Sequence, residues 1–450
     1  MPFAHAEALF WSCVALLVYA HVGYPALVRV WAWLSPRRLS ALGGEPEVSV
    51  LVVAQDEAAR IEARIENLLA QDYPKDRLTI LIASDGSTDG TAERARAHQQ
   101  GNVRVFAFSA PRGKPAVLND VAPAARGEVL VFADARQRFE SGALRALVAP
   151  FADPEVGVVS GELMITSGTD GNAVGEGASF YWRYEKFLRR CESRIDSTVG
   201  ATGAIYAVRR ALFEPLPADT LLDDVLLACR IVRRGYRAIF EPKARAHDRP
   251  AATGDAEFRR KWRTLAGNFQ LFSRERWLLH PLRNRLWLQT VSHKGLRLLC
   301  PLLLLGALGT SLFLLDSPIY AGALVGQIAF YAAALGGRAL RHRGKSAWLL
   351  ALPYLFCLLH WATVVAFFRF STGQAAVTWK RTPKEGWVHP WASASPSSVW
   401  GTWVSRWPRP WRGNFPGPSG STSTGRGSAR SMAASTATTS SPPKRCDPAG

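Results

Sequence analysis

The residue pattern predicts an α/β fold with a mostly parallel sheet, joined to helices apolar enough to enter a bilayer. Three observations predict it. Between residues 48 and 254, short apolar runs alternate with segments of helical period. Residues 8–34 and 298–369 are long and apolar, with few charges. The stretch 391–450 is rich in Ser, Thr, Gly and Pro and cannot offset its ordering entropy by burial, so a disordered tail is expected there.

The first run, VSVLVVA at 48–54, is near-continuously apolar, as strands of a parallel sheet covered on both faces are. Residues 57–71 carry Ile61, Ile65, Leu68 and Leu69 at helical spacing. Strands follow at 78–83, 103–108 and 128–133, with helices near 90–98 and 114–125. Such alternation implies right-handed crossovers and a parallel sheet, whose ligands bind beyond the carboxyl ends of the strands. A basic, Trp-containing region at 255–297 suits the headgroup layer of a membrane.

The apolar spans predict one N-terminal anchor and about three C-terminal crossings, at 298–316, 318–337 and 347–369. Arg37 and Arg38 follow the anchor, and Arg338, Arg341, Arg343 and Lys345 separate the last two crossings. Both clusters place residues 48–285 in the cytoplasm, and a bacterial inner membrane is the expected location. Lys380, Arg381 and Lys384 fall on the other side if all three crossings form.

The 450 residues carry a net charge of +19, from 55 basic and 36 acidic side chains. Much of that excess flanks apolar spans, which accounts for it without nucleic acid. The six cysteines, Cys13, Cys191, Cys229, Cys300, Cys357 and Cys446, form no C-x-x-C pair, and neither a disulfide framework nor a zinc site is readable from their spacing.

Polar residues gather just after the strands. Asp56 and Glu57 follow the first, Asp85-Gly86-Ser87-Thr88-Asp89 the second and Asp134-Ala135-Arg136 the fourth. Clustered carboxylates are costly to bury and normally face a cation or ligand hydroxyls. Ser87, Thr88 and Asp89 also suit helix capping. Asp85 and Asp134, each directly after a buried strand, suit a ligand.

These segments resemble the family 2 glycosyltransferases, the group of cellulose, chitin and hyaluronan synthases and their non-processive relatives. The resemblance rests on VSVLVVAQDE at 48–57, TILIASDGSTDGT at 79–91, RGKPAVLND at 112–120, EVLVFADAR at 128–136, TGAIYAVRR at 202–210, TLLDDVLLACRIVRRGY at 220–236 and RKWRTLAGNFQ at 260–270. It implies a GT-A-like nucleotide-sugar-binding domain at 48–254 and sugar transfer from a nucleotide-sugar donor, commonly a UDP-sugar, to a lipid or glycan acceptor with inversion. Asp56, Glu57, Asp85, Lys114, Asp134, Arg136 and Arg260 are the implied donor-binding residues. Asp224, with Asp223 and Arg263, is implied in catalysis, Asp224 as general base. Asp134 matches the first acid of the family's D-x-D motif for Mg²⁺ or Mn²⁺.

Two departures stand out. Position 136 is Arg rather than a second acid, so either Arg136 takes part of the cation's role or another group completes the metal site, with His247 and Asp248 as candidates. Arg260 and Thr264 replace the Gln and Trp of the synthases' Q-x-x-R-W. The second departure favours transfer of one sugar over processive polymerisation. A nucleotidyltransferase would need a glycine-rich loop after the first strand, where Gln55 to Arg60 has none. A transporter would need more ionisable groups in its spans than His360. An inactive nucleotide-sugar-binding protein is the remaining alternative.

Overall fold

The computed structural model describes residues 2–165, 173–248, 254–342 and 348–375. The expected disordered tail, 391–450, lies outside the described residues. In chain order the elements are α1 (Pro2–Val18), a π turn (Tyr19–Gly23), α2 (Tyr24–Leu34), β1 (Val48–Ala54), α3 (Ile61–Leu69), β2 (Leu78–Asp85), α4 (Thr91–Ala97), β3 (Val103–Phe108), α5 (Lys114–Val121), β4 (Val129–Asp134), β5 (Arg138–Phe139), α6 (Ala143–Val148), β6 (Val156–Ile165), α7 (Ala173–Ile195), β7 (Ile205–Arg209), α8 (Asp223–Arg233), β8 (Arg237–Asp248) and α9 (Gly254–Arg274). A second π turn (Thr290–Gly295) joins α10 (Trp287–Gln289) to α11 (Leu296–Phe313), and α12 (Pro318–His342) and α13 (Trp348–Ser371) follow.

The strands form one sheet in the order β3-β2-β1-β4-β7-β6-β8-β5. The expected parallel strands are present, with β2, β1 and β4 side by side, but the sheet as a whole is mixed. Strand β7 runs antiparallel between β4 and β6, and β6 pairs in parallel with β8. The reversal does not scatter the strand ends. Strands β4, β6 and β8 point the same way, so Asp134 and Asp248 leave the sheet at one edge. The approach to β7 arrives at that edge, since Ile205 pairs with Ala133. The register also levels the exits of the first strands: Ala54 lies opposite Ser84, and Val53 opposite Asp134.

Continuous apolar runs bury both faces of the sheet. Val48, Val50 and Val52 of β1 pack against Ile61, Ile65 and Leu68 of α3 on one face. Leu51 and Val53 meet Val117, Leu118 and Val121 of α5 on the other. Removing either layer would expose a row of fully buried branched side chains, each worth about 1.5–3 kcal/mol of burial.

Among the described residues, four helices are long and apolar enough to cross a membrane: Phe3–Leu34, Trp287–Phe313, Pro318–Leu340 and Leu349–Ser371. The second begins about ten residues before the apolar run at 298. Its first turns contain Gln289, Thr290, Ser292 and His293, all buried. These polar side chains masked the helix in a hydropathy reading, and α7 shows why they are tolerated. Glu192 of α7 accepts hydrogen bonds from Tyr24 (2.6 Å) and from His293 Nδ1 (2.7 Å). Glu185 meets His293 Nε2 at 3.0 Å and pairs with Arg297. Apolar contacts of Tyr24, Val28 and Ala32 with Leu188, Cys191 and Ile195 complete the joint between α2 and α7.

Helix α9 lies against the segment leading into α8. Gln270 Oε1 accepts from the Leu221 amide at 2.9 Å, and its Nε2 donates to the Asp219 carbonyl at 2.8 Å. Ala266 is fully buried, and a Cβ added to Gly267 would lie 2.4 Å from Cγ of Leu222. The bare glycine therefore sets how closely α9 approaches Asp223 and Asp224. Gly267→Ala is expected to push α9 away, costing about 1–3 kcal/mol by overpacking. Thermal unfolding of the purified variant, with exposed Thr264→Ala as control, should show a clear drop for Gly267→Ala alone. Equal midpoints would contradict this packing.

Candidate active site

At the carboxyl edge of the sheet, loops from β1 and β2 brace one another. Asp56 adopts a left-handed backbone (φ 53°), which Asp tolerates better than most residues. Its amide donates to Ser87 Oγ (3.1 Å), and its Oδ1 accepts from the Thr88 amide (2.9 Å). The Glu57 amide donates to Thr91 Oγ1 (2.8 Å), and the Glu57 carboxylate pairs with Arg60 at 2.7 Å. Asp89 accepts from the amides of Ala58 and Thr91, both at 3.0 Å. Gly90 holds the N-cap position of α4, and Asp89, one residue earlier, accepts from the first helical residue instead of capping the helix itself.

Asp85, at the end of β2, is 2% exposed. Its two oxygens accept from consecutive backbone amides, Arg112 at 2.7 Å and Gly113 at 2.8 Å. The structure thus turns Asp85 toward the loop after β3. That grip fixes the start of α5, whose first residue is Lys114.

Lys114 is the hub of the site. Its Nζ lies 3.0 Å from Asp134 Oδ1 and 3.5 Å from Asp223 Oδ2. Burial by itself would weaken the ammonium. The charges of Asp134, Asp223 and Asp224 outweigh burial and hold its pKa above the ordinary lysine value. Three segments distant in sequence, the ends of β4 and of the β3–α5 loop and the start of α8, therefore meet at one cation.

Asp223 is buried and Asp224 is partly open. Burial, reinforced by the charge of Asp223, raises the pKa of Asp224 to about 6, with Lys114 and Lys294 opposing. The Asp224 carboxylate presses on Gly203, where an added Cβ would sit 3.0 Å from Oδ2. Arg263 of α9 is within electrostatic reach of Asp223, Asp134 and Asp224. Burial lowers its pKa and these three acids oppose the shift. Lys114, Asp134, Asp223, Asp224 and Arg263 are thus brought together.

The two departures from the resemblance meet each other. Asp248, at the end of β8, is 5% exposed. Its Oδ2 lies 3.2 Å from Arg136 and 3.6 Å from Arg260, and accepts from Gln137 Nε2 at 3.0 Å. The arginines that replace an acid and a glutamine converge on one carboxylate. His247, the other candidate ligand, does not join them. Adjacent strand residues face opposite ways, and His247 Nε2 pairs with Glu140 at 2.8 Å on the surface.

Four contributors were missing from the sequence pattern or underrated in it: Asp248 as an arginine clamp, Gly203 beside Asp224, Lys294 near Asp224, and Tyr206. The Tyr206 hydroxyl donates to Asp223 at 3.4 Å, and its ring stacks on Phe132 at 4.7 Å. The acidic residues carried a spacing signal. Gly203 and Tyr206 lie in the TGAIYAVRR segment and Asp248 beside His247, but tertiary approach alone shows what each of the four touches.

A divalent cation fits the donor set at Asp134. That carboxylate is about one-third exposed, and Lys114 occupies Oδ1, which leaves Oδ2 for a ligand. Mg²⁺-type sites commonly use one or two carboxylates together with substrate phosphates.

Residues 49–216 match the family model described as glycosyl transferase family 2. The beta-monoglucosyldiacylglycerol synthase of Nostoc sp. is 32% identical over 154 residues, 33% of this chain and 33% of that one. The poly-beta-1,6-N-acetyl-D-glucosamine synthase of Staphylococcus aureus is 27% identical over 207 residues, 44% of this chain and 48% of that one. The chain thus spans half or less of the length of these curated relatives. Among solved structures, a mannosyltransferase from Pyrobaculum calidifontis, in complex with GDP-Man and Mn²⁺, aligns with a TM-score of 0.64. It is 23% identical, and the match covers 82% of this chain and 99% of that one. That likeness establishes a shared GT-A-type fold.

A carboxylate acting as general base works only when ionised. If Asp224 is that base, activity should be complete above its raised pKa of about 6 and fall as pH drops through it. Asp223→Asn removes the neighbouring charge that helps raise it, so the acid limb of kcat/KM should move to lower pH. An acid limb unchanged by Asp223→Asn would contradict the coupling.

Proposed function

We propose, on the premise that this chain carries a family 2 glycosyltransferase domain at residues 49–216, that it is a membrane-bound enzyme transferring one sugar from a nucleotide-sugar donor to a lipid or glycan acceptor. The observation that carries the proposal is Lys114 held between Asp134 and Asp223 beside a half-buried Asp224 of raised pKa. A UDP-sugar is the donor we favour, and the domain lies on the cytoplasmic side, where Arg37 and Arg38 follow the first apolar helix.

The reaction is a single displacement. The acceptor hydroxyl attacks the anomeric carbon, its proton passes to Asp224, and the nucleoside diphosphate departs from the opposite face, inverting the centre. The departing diphosphate gathers negative charge. Lys114 and Arg263 lie beside the acids and meet that charge as it develops. Asp134 would hold Mg²⁺ or Mn²⁺, which when bound supplies a Lewis acid for the charge of the leaving group. Arg136 and Arg260, aligned by Asp248, present further cationic surface toward the donor. Asp85 serves through the loop it fixes, and Asp56 and Glu57 shape the neighbouring rim.

Two relatives divide over the acceptor. One is named for a glucosyldiacylglycerol and supports a lipid. The other is named for a polymer and supports a second reading, a processive polysaccharide synthase. Arg260 and Thr264, where such synthases carry Gln and Trp, weigh toward a single transfer.

Inverted membrane vesicles supplied with labelled UDP-, GDP- and dTDP-sugars, with and without Mn²⁺, test the proposal. Wild-type vesicles should transfer label from one donor series. Asp224→Asn should reduce transfer on the order of 10²–10⁴-fold while nucleotide affinity persists. Wild-type-like turnover in that variant would remove Asp224 from the role of base.

A further inference from the structure

Outside the acidic edge, a second group of ligand-bearing side chains lies among the apolar helices. His21 belongs to the π turn between α1 and α2, Cys300 to α11 and His360 to α13. The potential ligand atoms of the three all lie within 4.8 Å of one another. Among the described residues this is the one His, Cys and carboxylate cluster of that compactness. Three different helices supply it, so no sequence spacing would disclose it.

The hydrogen bonds prepare both imidazoles for ligation. His21 Nδ1 lies 3.0 Å from the Leu17 carbonyl, and His360 Nδ1 lies 2.7 Å from the Phe356 carbonyl. A carbonyl oxygen only accepts, so each Nδ1 carries the hydrogen and each Nε2 keeps its lone pair. Fixing the tautomer through the second nitrogen is the usual support for a metal-bound histidine. The two rings lie 5.9 Å apart, and Phe356 packs 4.1 Å from the His360 ring and 5.5 Å from that of His21. Cys300 is fully buried. Ionisable side chains inside apolar helices are costly, and their convergence calls for a ligand. The nearest strong charge, Arg297, is paired with Glu185, which tempers its repulsion of a cation.

We propose that His21, Cys300 and His360 form a zinc site that ties three apolar helices together. Two imidazole nitrogens and a thiolate suit Zn²⁺ rather than the hard cation expected at Asp134. Three protein ligands leave a fourth position for water. On binding, the Cys300 S–H bond breaks, a sulfur–zinc bond forms and the proton passes to solvent. The spacing of the cysteines gave no sign of zinc; the fold supplies what the spacing lacks.

Cobalt(II) is the probe, because a thiolate ligand gives it a charge-transfer band. Purified full-length protein carrying Asp134→Ala, which removes the acidic-edge ligand, is stripped with chelator and titrated with Co²⁺ and then Zn²⁺. The expected result is one Co²⁺ per chain with a thiolate band that Zn²⁺ abolishes. Cys300→Ser should remove the band, and Cys357→Ser should keep it. His21→Ala and His360→Ala should each weaken binding at least about tenfold. Absence of the band in the parent protein, which keeps His21, Cys300 and His360 intact, would overturn the site, as would a band that survives Cys300→Ser.

Discussion

Carboxylates gathered at the edge of a buried sheet must be matched by positive charge, and in this protein one lysine does most of the matching. Lys114 stands between Asp134 and Asp223, with Asp224 close enough to feel Lys114 and Asp223. Taking one partner from a desolvated pair typically costs about 3–5 kcal/mol, because the other charge is left uncompensated. The fold reads as a set of devices for keeping that lysine in place. The level register of β1, β2 and β4 brings the loops together, and Asp85 clamps the turn before α5. Such a site is poised for an anionic ligand. Under the proposed reaction, a diphosphate arriving at Lys114 would replace carboxylate partners with phosphate oxygens and free the acids for a cation and a proton.

The same logic explains the residues that depart from the family pattern. An arginine at 136 would disturb a metal site if it pointed freely at Asp134. Asp248 instead draws it aside, together with Arg260. Helix α9 therefore has two duties at the edge, presenting Arg263 to the three acids and Arg260 to Asp248. Its close seating on Leu222, allowed by Gly267, couples both to the acidic pair. The α7 joint extends this coupling toward the apolar helices, since Glu185 and Glu192 hold His293 of the second π turn, and the next residue of that turn, Lys294, reaches Asp224 electrostatically.

Much of this was legible in the residues. Continuous apolar runs marked β1, β2 and β4 because burial on both faces leaves no room for alternation. The acids after them stood out because a buried strand followed at once by a carboxylate is expensive without a purpose. Strands β6 and β7 were harder. Ser160, Gly161 and Glu162 interrupt the apolar run of β6, and Glu162 is buried beside Lys186, a long-range partner that no local pattern announces. Helix α7 escaped because its buried carboxylates resemble a solvated face until Tyr24 and His293 are placed against them. Asp248 was noticed only beside His247, and the alternation of β8 decides which of the two faces the arginines.

In the proposed reaction Lys114 and Asp134 act on the donor as one coupled unit. A double-mutant cycle measures this directly. UDP affinity in the presence of Mn²⁺ is determined by titration calorimetry for the wild type, Lys114→Met, Asp134→Ala and the double variant. Each single change should weaken binding, and the double change should differ from their sum by roughly 0.5–3 kcal/mol. Strict additivity, or single variants that bind UDP as the wild type does, would contradict it.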